Sequence, residues 1–578
     1  MDIHDATLVV YIMKNRLSIK FGGQSGQGIN TLGELLAKCI KNSGYHLFAS
    51  REYPSLIKGG VASYQLDFSD YEIYSSSRYT NILACLAPQS IHEYIYSIDR
   101  KGILVHSIND LVLTKEEEEY IHRMNIEVIH IDTEKISHDI EAPIIMANMI
   151  LLGYISSIVG IDEKELEKVV KKYFKGKNID ILTEIKCITK GYELDRPSKF
   201  QFNNNFKKHK GWNKSKVVTG NLAIALGAIS AGCRAYYAYP MTPSTPILEM
   251  LGATYKQTGI LVKQAESEIT AVQMAMGSMY MGTRAFTATS GGGFDLMTET
   301  LSSAGMTETP LVIVLGQRQG PSTGGPTWTA TQDLDAALDA GHGEFPRCIL
   351  STSDALDSYE LIQKAFNIAE QYQIPVILLT EKQNAEALFN IYNLPKALKI
   401  QRGIRNGRYR YEITENGISP RWIPMKGRKT YLANSDEHTQ DGFSTENSLD
   451  VSTMYEKRMN KLQTLQSKIP DPKYFGSTKS NTIFVTFGTP KNAVLDAMKE
   501  TREDIGLLLY QYIFPLKYEK IFELEKEGKR LILLENNHTG QFGKLVKREC
   551  GYEFKEKLLK YDSRPFFMED ILDFLKKQ

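Results

Sequence analysis

The segment Tyr239-Pro240-Met241-Thr242-Pro243-Ser244-Thr245-Pro246 combines three prolines with three hydroxyl side chains. It follows the apolar run Ala235–Ala238, a predicted strand, and precedes an apolar stripe typical of a helix. The prolines fix the turn, and Thr245 is the predicted helix N-cap. Helix-start N–H groups and the hydroxyls of Thr242 and Ser244 can donate hydrogen bonds to an anion. We therefore predict a carboxylate-binding loop, with an ordinary strand-to-helix turn as the alternative.

Three further segments follow predicted strands, which is where open α/β sheets bind their ligands. Glu268 falls at a predicted helix start, where it either points into a cleft or only complements the helix dipole. The triplet Gly291-Gly292-Gly293 allows a tight turn or close approach of a ligand. Arg318 lies in a loop rich in glycine and proline, where its guanidinium either binds a carboxylate bidentately or pairs with an acid of the protein. Together these segments predict one ligand site.

The elements that position these residues follow from apolar runs that alternate with helical stretches. In the central part of the chain the predicted strands are Ala235–Tyr239, Ile260–Val262, Ala285–Ala288, Leu311–Leu315 and Val376–Leu379. This alternation predicts a parallel sheet covered on both faces.

Two other α/β regions flank the central one. Near the N-terminus, Leu17–Phe21 runs into the glycine segment Gly22–Gly28 and then a helix, and strands are predicted near residues 82, 102 and 127. A last α/β region begins at Thr482–Phe487. We predict domains at 1–195, 217–395 and 479–578, joined by a linker at 196–216 and a polar connecting arm at 396–478.

Composition narrows the function classes. With 69 basic and 68 acidic residues, the net charge of +1 argues against bulk binding to nucleic acid or to an anionic membrane. The six cysteines form no CxxC pair, which argues against a metal or iron–sulfur site within this chain. The N-terminus lacks the features of a signal peptide, so we expect a cytoplasmic protein. Ala142–Ile161 is uncharged but interrupted by polar residues, and we predict a buried core helix rather than a membrane span.

The proline turn, Glu268, the glycine triplet, the arginine loop and Gly341–Arg347 together resemble the alpha subunit of 2-oxoacid:ferredoxin oxidoreductases. Gly22–Gly28 is similar to the glycine loop of the family's gamma domain, here fused ahead of the alpha part. Two late segments resemble its transketolase C-terminal-type domain, namely Phe487–Pro490 and Glu535–Gln541.

Two segments of the connecting arm, Gly417–Arg421 and Ser435–His438, favour the 2-oxoglutarate-type branch. The resemblance implies an α/β multidomain fold. Its parts are a gamma-type α/β domain, a parallel-sheet domain of the type that binds the thiamine diphosphate pyrimidine, and a transketolase C-terminal-like domain.

The implied reaction is oxidative decarboxylation of a 2-oxoacid, most closely 2-oxoglutarate, to an acyl-coenzyme A and CO₂. Thiamine diphosphate is the implied cofactor, coenzyme A the co-substrate and ferredoxin the electron acceptor. Two alternatives stay open. The same chemistry can act on pyruvate, a branched-chain or an aryl 2-oxoacid, or the chain is a noncatalytic scaffold subunit.

The resemblance also implies roles for single residues. Glu268 matches the acid that hydrogen-bonds the aminopyrimidine ring of the cofactor, and Thr242 and Arg318 match residues that contact the 2-oxoacid end of the substrate. We expect Gly26 and Gly28 to let the backbone approach the phosphates of coenzyme A, with tight packing as the alternative. Lys58 would add a cation there. The glycine loop lacks the acidic partner of a nicotinamide site.

The chain departs from a complete enzyme of this family. It has no Gly-Asp-Gly segment followed by the Asn that would hold magnesium and the diphosphate, and Gly291-Gly292-Gly293 replaces the expected Gly-Pro-Gly. The resemblance therefore implies a partner beta subunit that carries Mg²⁺ and a 4Fe-4S cluster. The active site would lie at the alpha/beta interface, in an (alpha-beta)2 heterotetramer.

Overall fold

The computed structural model describes residues 15–55, 60–198, 206–425 and 430–577. The chain forms two compact units. The first comprises Met1–Val217, Ala387–Asn393 and Phe567–Asp573, and the second comprises Val218–Glu386, Leu394–Phe566 and Phe574–Gln578. Lys58 and part of the predicted linker, residues 199–205, lie outside the described residues.

The first unit is built on a mixed eight-stranded sheet. From edge to edge its strands are Glu127–His130, Ile98–His106, Thr80–Cys85, Arg16–Gln24, Val61–Ser69, His46–Glu52, Leu388–Ile391 and Lys216–Thr219, the last of which runs beyond the unit. The four strands predicted near residues 17, 82, 102 and 127 are confirmed. The antiparallel strands His46–Glu52 and Val61–Ser69 were not predicted.

Helices flank this sheet. They are Ile29–Asn42, Pro88–Tyr94, Lys115–Met124, Thr133–Asp139, Asn148–Ile158, Glu163–Phe174, Ile181–Glu193 and Met568–Lys576, the last of which runs beyond the unit. The uncharged stretch Ala142–Ile161 contains the helix Asn148–Ile158, whose residues from Met149 onward are all buried, so the core-helix prediction is confirmed. Among the described residues no helix is long and apolar enough to cross a membrane.

The second unit contains a seven-stranded sheet that is parallel except at one edge. In sheet order its strands are Tyr512–Phe514, Cys348–Ser351, Pro375–Glu381, Leu311–Gln317, Ala285–Thr289, Ala235–Ala238 and Leu261–Gln264. All five strands predicted for the central region are confirmed, and Cys348–Ser351 and the antiparallel edge strand Tyr512–Phe514 were not predicted. The near-continuous apolar strands are buried, as expected for a sheet covered on both faces.

A five-stranded sheet completes the second unit. Its strands in order are Lys473–Phe475, Ile505–Leu509, Thr482–Thr486, Arg530–Glu535 and Glu556–Leu559. The helices of the unit are Gly220–Ser230, Thr245–Ala253, Tyr255–Thr258, Glu268–Tyr280, Gly291–Asp295, Thr298–Met306, Leu334–Asp339, Ala355–Tyr372, Lys382–Glu386, Ser448–Gln466, Pro490–Glu500, Glu519–Lys526 and Gln541–Cys550.

The predicted connecting arm contains little regular structure before the helix Ser448–Gln466. Buried ion pairs hold it to the seven-stranded sheet region. The fully buried carboxylate of Glu308 pairs with the ammonium groups of Lys457 and Lys461, and Nζ of Lys461 lies 2.5 Å from Glu308 Oε2. Burial lowers the pKa of Lys457 to about 8 and that of Lys461 to about 7, and the negative charge of Glu308 opposes both shifts.

We predict that Glu308→Gln strongly destabilises the second unit. The substitution leaves two buried ammonium groups without their carboxylate, and breaking a buried pair from one side costs about 3–5 kcal/mol. The measurement is the midpoint of chemical unfolding. Glu553→Gln, which removes an exposed partner of Lys547, is the control and should leave the midpoint unchanged. Equal midpoints for the two variants would contradict the assigned role of Glu308.

Candidate active site

The carboxyl ends of four neighbouring strands place the predicted site residues at one edge of the seven-stranded sheet. These strands are Leu311–Gln317, Ala285–Thr289, Ala235–Ala238 and Leu261–Gln264, which lie side by side and run parallel. Arg318, the glycine triplet, the proline turn and Glu268 follow them in that order. The topology therefore brings together all four segments that the sequence singled out.

The proline turn is held from two sides. The side-chain amide of Asn221 donates to the carbonyl oxygen of Pro243 at 2.7 Å. Ser244 is the N-cap of the following helix, so the prediction that Thr245 caps it was wrong. The reason is that the proline turn ends one residue earlier than predicted. The buried hydroxyl of Ser244 donates to the carbonyl of Met241 at 2.9 Å. The assignment of Ser244 to substrate stays a prediction, and this bond engages its proton within the turn.

Arg318 connects its own loop to the proline turn. Its Nη1 donates to the carbonyl oxygen of Thr242 at 2.7 Å. The side chain is 9% exposed, and within the described ranges neither another hydrogen-bond acceptor nor an ion pair within 4.0 Å engages it. Burial lowers the pKa of Arg318, and the negative charge of Asp333 opposes that shift. The guanidinium is therefore fixed on one side and available to a carboxylate on the other.

Glu268 opens the helix Glu268–Tyr280, whose first turn is capped by the hydroxyl of Ser267. The residue is only 5% exposed, yet no side chain or backbone group of the described chain donates a hydrogen bond to its carboxylate. The carboxylate is therefore an acceptor that no group of the described chain uses, and it is available to a donor on a ligand.

The glycine triplet makes room for this carboxylate. It forms the start of the short helix Gly291–Asp295 rather than an open loop. A Cβ atom on Gly293 would lie 2.1 Å from Thr289 Oγ1 and 2.6 Å from Glu268 Oε1, whereas one on Gly292 would have no neighbour within 4 Å. Only glycine at position 293 leaves Glu268 where it is.

Asp333 is a site residue that the sequence reasoning missed. Its carboxylate lies beside Gly291, where a Cβ atom would be 3.1 Å from Asp333 Oδ1. Burial and the nearby charge of Asp295 raise its pKa to about 6, against the opposing charge of Arg318. Its place fifteen residues beyond Arg318 offers no pattern that would have identified it from sequence.

The C-terminal segments quoted for the transketolase-like domain hold the arginine loop. Asn537 Nδ2 donates to the carbonyl of Thr331 at 3.0 Å, and the Thr331 N–H donates to the carbonyl of Asn536 at 2.9 Å. Gln541 Oε1 accepts from the N–H groups of Leu334 at 3.0 Å and Asp335 at 3.3 Å. These contacts fix the far end of the loop that begins at Arg318.

The predicted glycine loop lies in the first unit, where Gly26, Gln27 and Gly28 line a cleft of about 470 Å³. Gly26 and Gly28 adopt φ values of +96° and +81°, and Gly28 is the N-cap of the helix Ile29–Asn42. The cleft is also lined by Glu184, which is 7% exposed and whose Oε2 has no hydrogen-bond partner. Burial raises the pKa of Glu184 to about 7. The loop therefore lines a space large enough for a ligand.

No group of three or more His, Cys, Asp or Glu side chains in the described part of the chain is arranged to bind a metal ion. Five of the six cysteines are buried, and none is paired with another. The assignment of magnesium and the iron–sulfur cluster to a partner stays a prediction.

Comparison with known proteins decides the family. A family model described as pyruvate flavodoxin/ferredoxin oxidoreductase, thiamine diphosphate-binding, matches residues 226–457, and one described as pyruvate ferredoxin/flavodoxin oxidoreductase matches residues 18–194. The 2-oxoacid:ferredoxin oxidoreductase subunit alpha of a Sulfolobus species is 30% identical over 622 aligned positions, covering 97% of each chain. This chain belongs to the 2-oxoacid:ferredoxin oxidoreductase alpha subunits.

Two further relatives belong to the 2-oxoglutarate branch. The 2-oxoglutarate synthase subunit KorA of Methanothermobacter thermautotrophicus is 30% identical over 62% of this chain and 98% of its own. A solved 2-oxoglutarate:ferredoxin oxidoreductase from Magnetococcus marinus superposes with a TM-score of 0.89 at 26% identity, covering 98% of this chain and 100% of the other. The family resemblance and the oxidoreductase class predicted from the sequence are thus confirmed.

The geometry around Gly293 in this alpha subunit yields a prediction. Gly293→Ala should displace the Glu268 carboxylate, because the new methyl group has no room between it and Thr289. In the complex with the beta subunit, thiamine diphosphate affinity should fall at least tenfold, equivalent to about 1.4 kcal/mol. Calorimetric titration with the cofactor measures this.

Gly292→Ala is the matched control, since its added Cβ atom meets nothing within 4 Å. It should bind the cofactor as the unsubstituted complex does. Similar losses in both variants would mean that the helix Gly291–Asp295, and not the space beside Glu268, sets the affinity.

Proposed function

We propose that this alpha subunit binds the aminopyrimidine of thiamine diphosphate through Glu268 and the 2-oxoacid through Arg318 and Thr242. The enzyme so formed oxidatively decarboxylates 2-oxoglutarate to an acyl-coenzyme A and CO₂ and passes electrons to ferredoxin. The observation that carries the proposal is the buried carboxylate of Glu268, which lacks a donor and faces the space that Gly293 keeps open.

The fit of the cofactor rests on the donor that Glu268 lacks. A ring N–H of the aminopyrimidine would be a suitable donor to this carboxylate. Thiamine diphosphate, when bound, supplies the nucleophilic carbon and the electron sink that decarboxylation needs. Glu268 contributes an acceptor on a helix start that Ser267 caps, so that the ring is held by a rigid element.

Arg318 and Thr242 would orient the substrate. The bond from Arg318 to the Thr242 carbonyl holds the guanidinium plane in place, and its remaining N–H groups match the fork of a carboxylate. The Thr242 hydroxyl adds a donor beside it. Holding the carboxylate at a fixed point positions the neighbouring 2-oxo carbon for attack and offsets the negative charge of the substrate.

The choice of 2-oxoglutarate rests on relatives. The Methanothermobacter subunit is named a 2-oxoglutarate synthase subunit, and the Magnetococcus structure has 2-oxoglutarate, coenzyme A and succinyl-coenzyme A bound. We also infer a beta partner that holds Mg²⁺, the diphosphate and a 4Fe-4S cluster in an (alpha-beta)2 assembly, because the relatives over the full chain are named as alpha subunits.

The complex with the beta subunit, purified without oxygen, tests the proposal. Coenzyme A-dependent reduction of a low-potential acceptor should proceed with 2-oxoglutarate and more slowly with pyruvate. Faster turnover of pyruvate would keep the reaction class and change the substrate. Absence of turnover with any 2-oxoacid, in a complex that holds its cofactor and cluster, would favour the scaffold alternative.

Glu268→Gln should lower turnover by roughly 10²-fold to 10⁴-fold, because a neutral amide would hold the ring nitrogen of the cofactor less strongly than a carboxylate does. Glu266→Gln is the control, since Glu266 is exposed and accepts a hydrogen bond from Thr270 on the helix surface. The control should retain turnover, and a Glu268→Gln complex of unchanged activity would refute the catalytic role of this carboxylate.

For coenzyme A we propose the cleft of the first unit, with Gly26 and Gly28 against its phosphates. The helix Ile29–Asn42 has a left-handed glycine N-cap and no acidic residue in its first turn, which suits an anion. The buried carboxyl of Glu184 provides a polar contact within the same cleft.

Gly28→Ala should raise the KM for coenzyme A by roughly fivefold. Alanine does not tolerate the φ of +81° at this position, so the loop would shift and the phosphates would lose about 1 kcal/mol of interaction with the helix start. Gly528→Ala imposes similar strain, at φ +75°, on a surface where a Cβ atom meets nothing, and should leave that KM unchanged. An unaltered KM in a folded Gly28→Ala complex would remove coenzyme A from this loop.

A further inference from the structure

Asp333 occupies the N-cap position of the helix Leu334–Asp339 but does not cap it. Aspartate at that position ordinarily accepts from the first free N–H groups of its own helix. Here Gln541 Oε1 accepts from the N–H groups of Leu334 and Asp335, while Gln541 Nε2 donates to the carbonyl of Gln332 at 2.8 Å. Because Gln541 caps this helix, the Asp333 carboxylate does not accept the N-cap hydrogen bond.

The freed carboxylate is directed to the active site. The N–H of Asp333 donates to Gln317 Oε1 at 3.1 Å, which anchors its backbone beside the residue that precedes Arg318. The carboxylate lies against Gly291, and no group in the described ranges donates a hydrogen bond to it. It is also not paired with Arg318 within 4.0 Å. The Asp333 carboxyl and the Arg318 guanidinium therefore both face the site without forming an ion pair.

We propose that Asp333 is a substrate-binding residue that takes up one proton from water when the 2-oxoacid binds at Arg318, and that its neutral carboxyl then donates a hydrogen bond to an oxygen of the substrate. This inference rests on the proposed function. The proton returns to water once CO₂ and the acyl product leave, so the cycle is balanced and needs no other reactant.

Electrostatics supports the proton uptake. The charged groups that face Asp333 are Asp295, which raises its pKa, and Arg318, which lowers it, and burial brings the pKa to about 6. A substrate carboxylate placed on Arg318 screens the one cation and adds a negative charge, and both effects favour the protonated form. Above pH 6 the free enzyme must therefore gain a proton to bind its substrate.

This proton uptake makes substrate binding weaker as the pH rises. The KM for the 2-oxoacid should be constant below about pH 6 and should rise by up to tenfold per pH unit above it, whereas kcat should not follow this group. The test measures KM and kcat for 2-oxoglutarate between pH 5.5 and 8.5 in the complete complex with the beta subunit, thiamine diphosphate and coenzyme A.

Asp333→Asn and Asp333→Ser keep a hydrogen-bond donor that does not ionise. In both we expect KM to change less than twofold between pH 6 and 8. Asp335→Asn is the matched control, because Asp335 lies two residues further on the same helix and interacts with Lys544 and Arg548 instead. It should keep the slope of the unsubstituted enzyme.

Each outcome decides the inference. A KM of the unsubstituted enzyme that does not vary with pH overturns it even if both Asp333 variants fail to fold, and so does an unchanged slope in a folded variant. These results differ from failure of the proposed function, in which the unsubstituted complex turns over no 2-oxoacid at any pH.

Discussion

The hydrogen bond from Arg318 to the carbonyl of Thr242 spans the strand between their two loops. Leu311–Gln317 and Ala235–Ala238 are separated in the sheet by Ala285–Thr289, so the arginine must pass over the end of that middle strand. Gly316 makes the passage narrow, since a Cβ atom there would lie 3.0 Å from the Pro243 ring. The two loops consequently form one surface. Glu268 and the glycine triplet follow the neighbouring strands and lie at the same edge of the sheet.

Carboxyl groups of the second unit differ in the hydrogen-bond donors that the chain supplies to them. Glu268 lies at a capped helix start and receives no hydrogen bond from the described chain. Asp333 is held by its backbone N–H and interacts with the charge of Arg318 without forming an ion pair. Glu381, by contrast, is fully satisfied by the N–H of Thr489 and the hydroxyl of Thr329, and serves packing between the two sheets of the second unit. These acids are therefore alike in their burial and differ in whether the described chain supplies a hydrogen-bond donor to the carboxylate.

Sequence reasoning located the central sheet and four of its ligand segments because parallel strands are continuous apolar runs followed by short loops. It missed His46–Glu52 and Val61–Ser69, whose pairing buries polar side chains such as Gln65 and Asp67 against partners that only the fold supplies. It missed Asp333 for a related reason. The cap that frees this carboxylate comes from Gln541, and no local pattern encodes a contact over that distance.

The cap provided by Gln541 also has a consequence for biosynthesis. Its partner Leu334 precedes it by 207 residues, which corresponds to roughly 10–40 s of translation at 5–20 residues per second. During that interval two backbone N–H groups of the nascent arginine loop lack their acceptor, the side-chain oxygen of Gln541, even though most strands of the seven-stranded sheet have already been synthesised. Completion of the arginine loop is thereby tied to the synthesis of Gln541, which takes place long after the loop itself has been made.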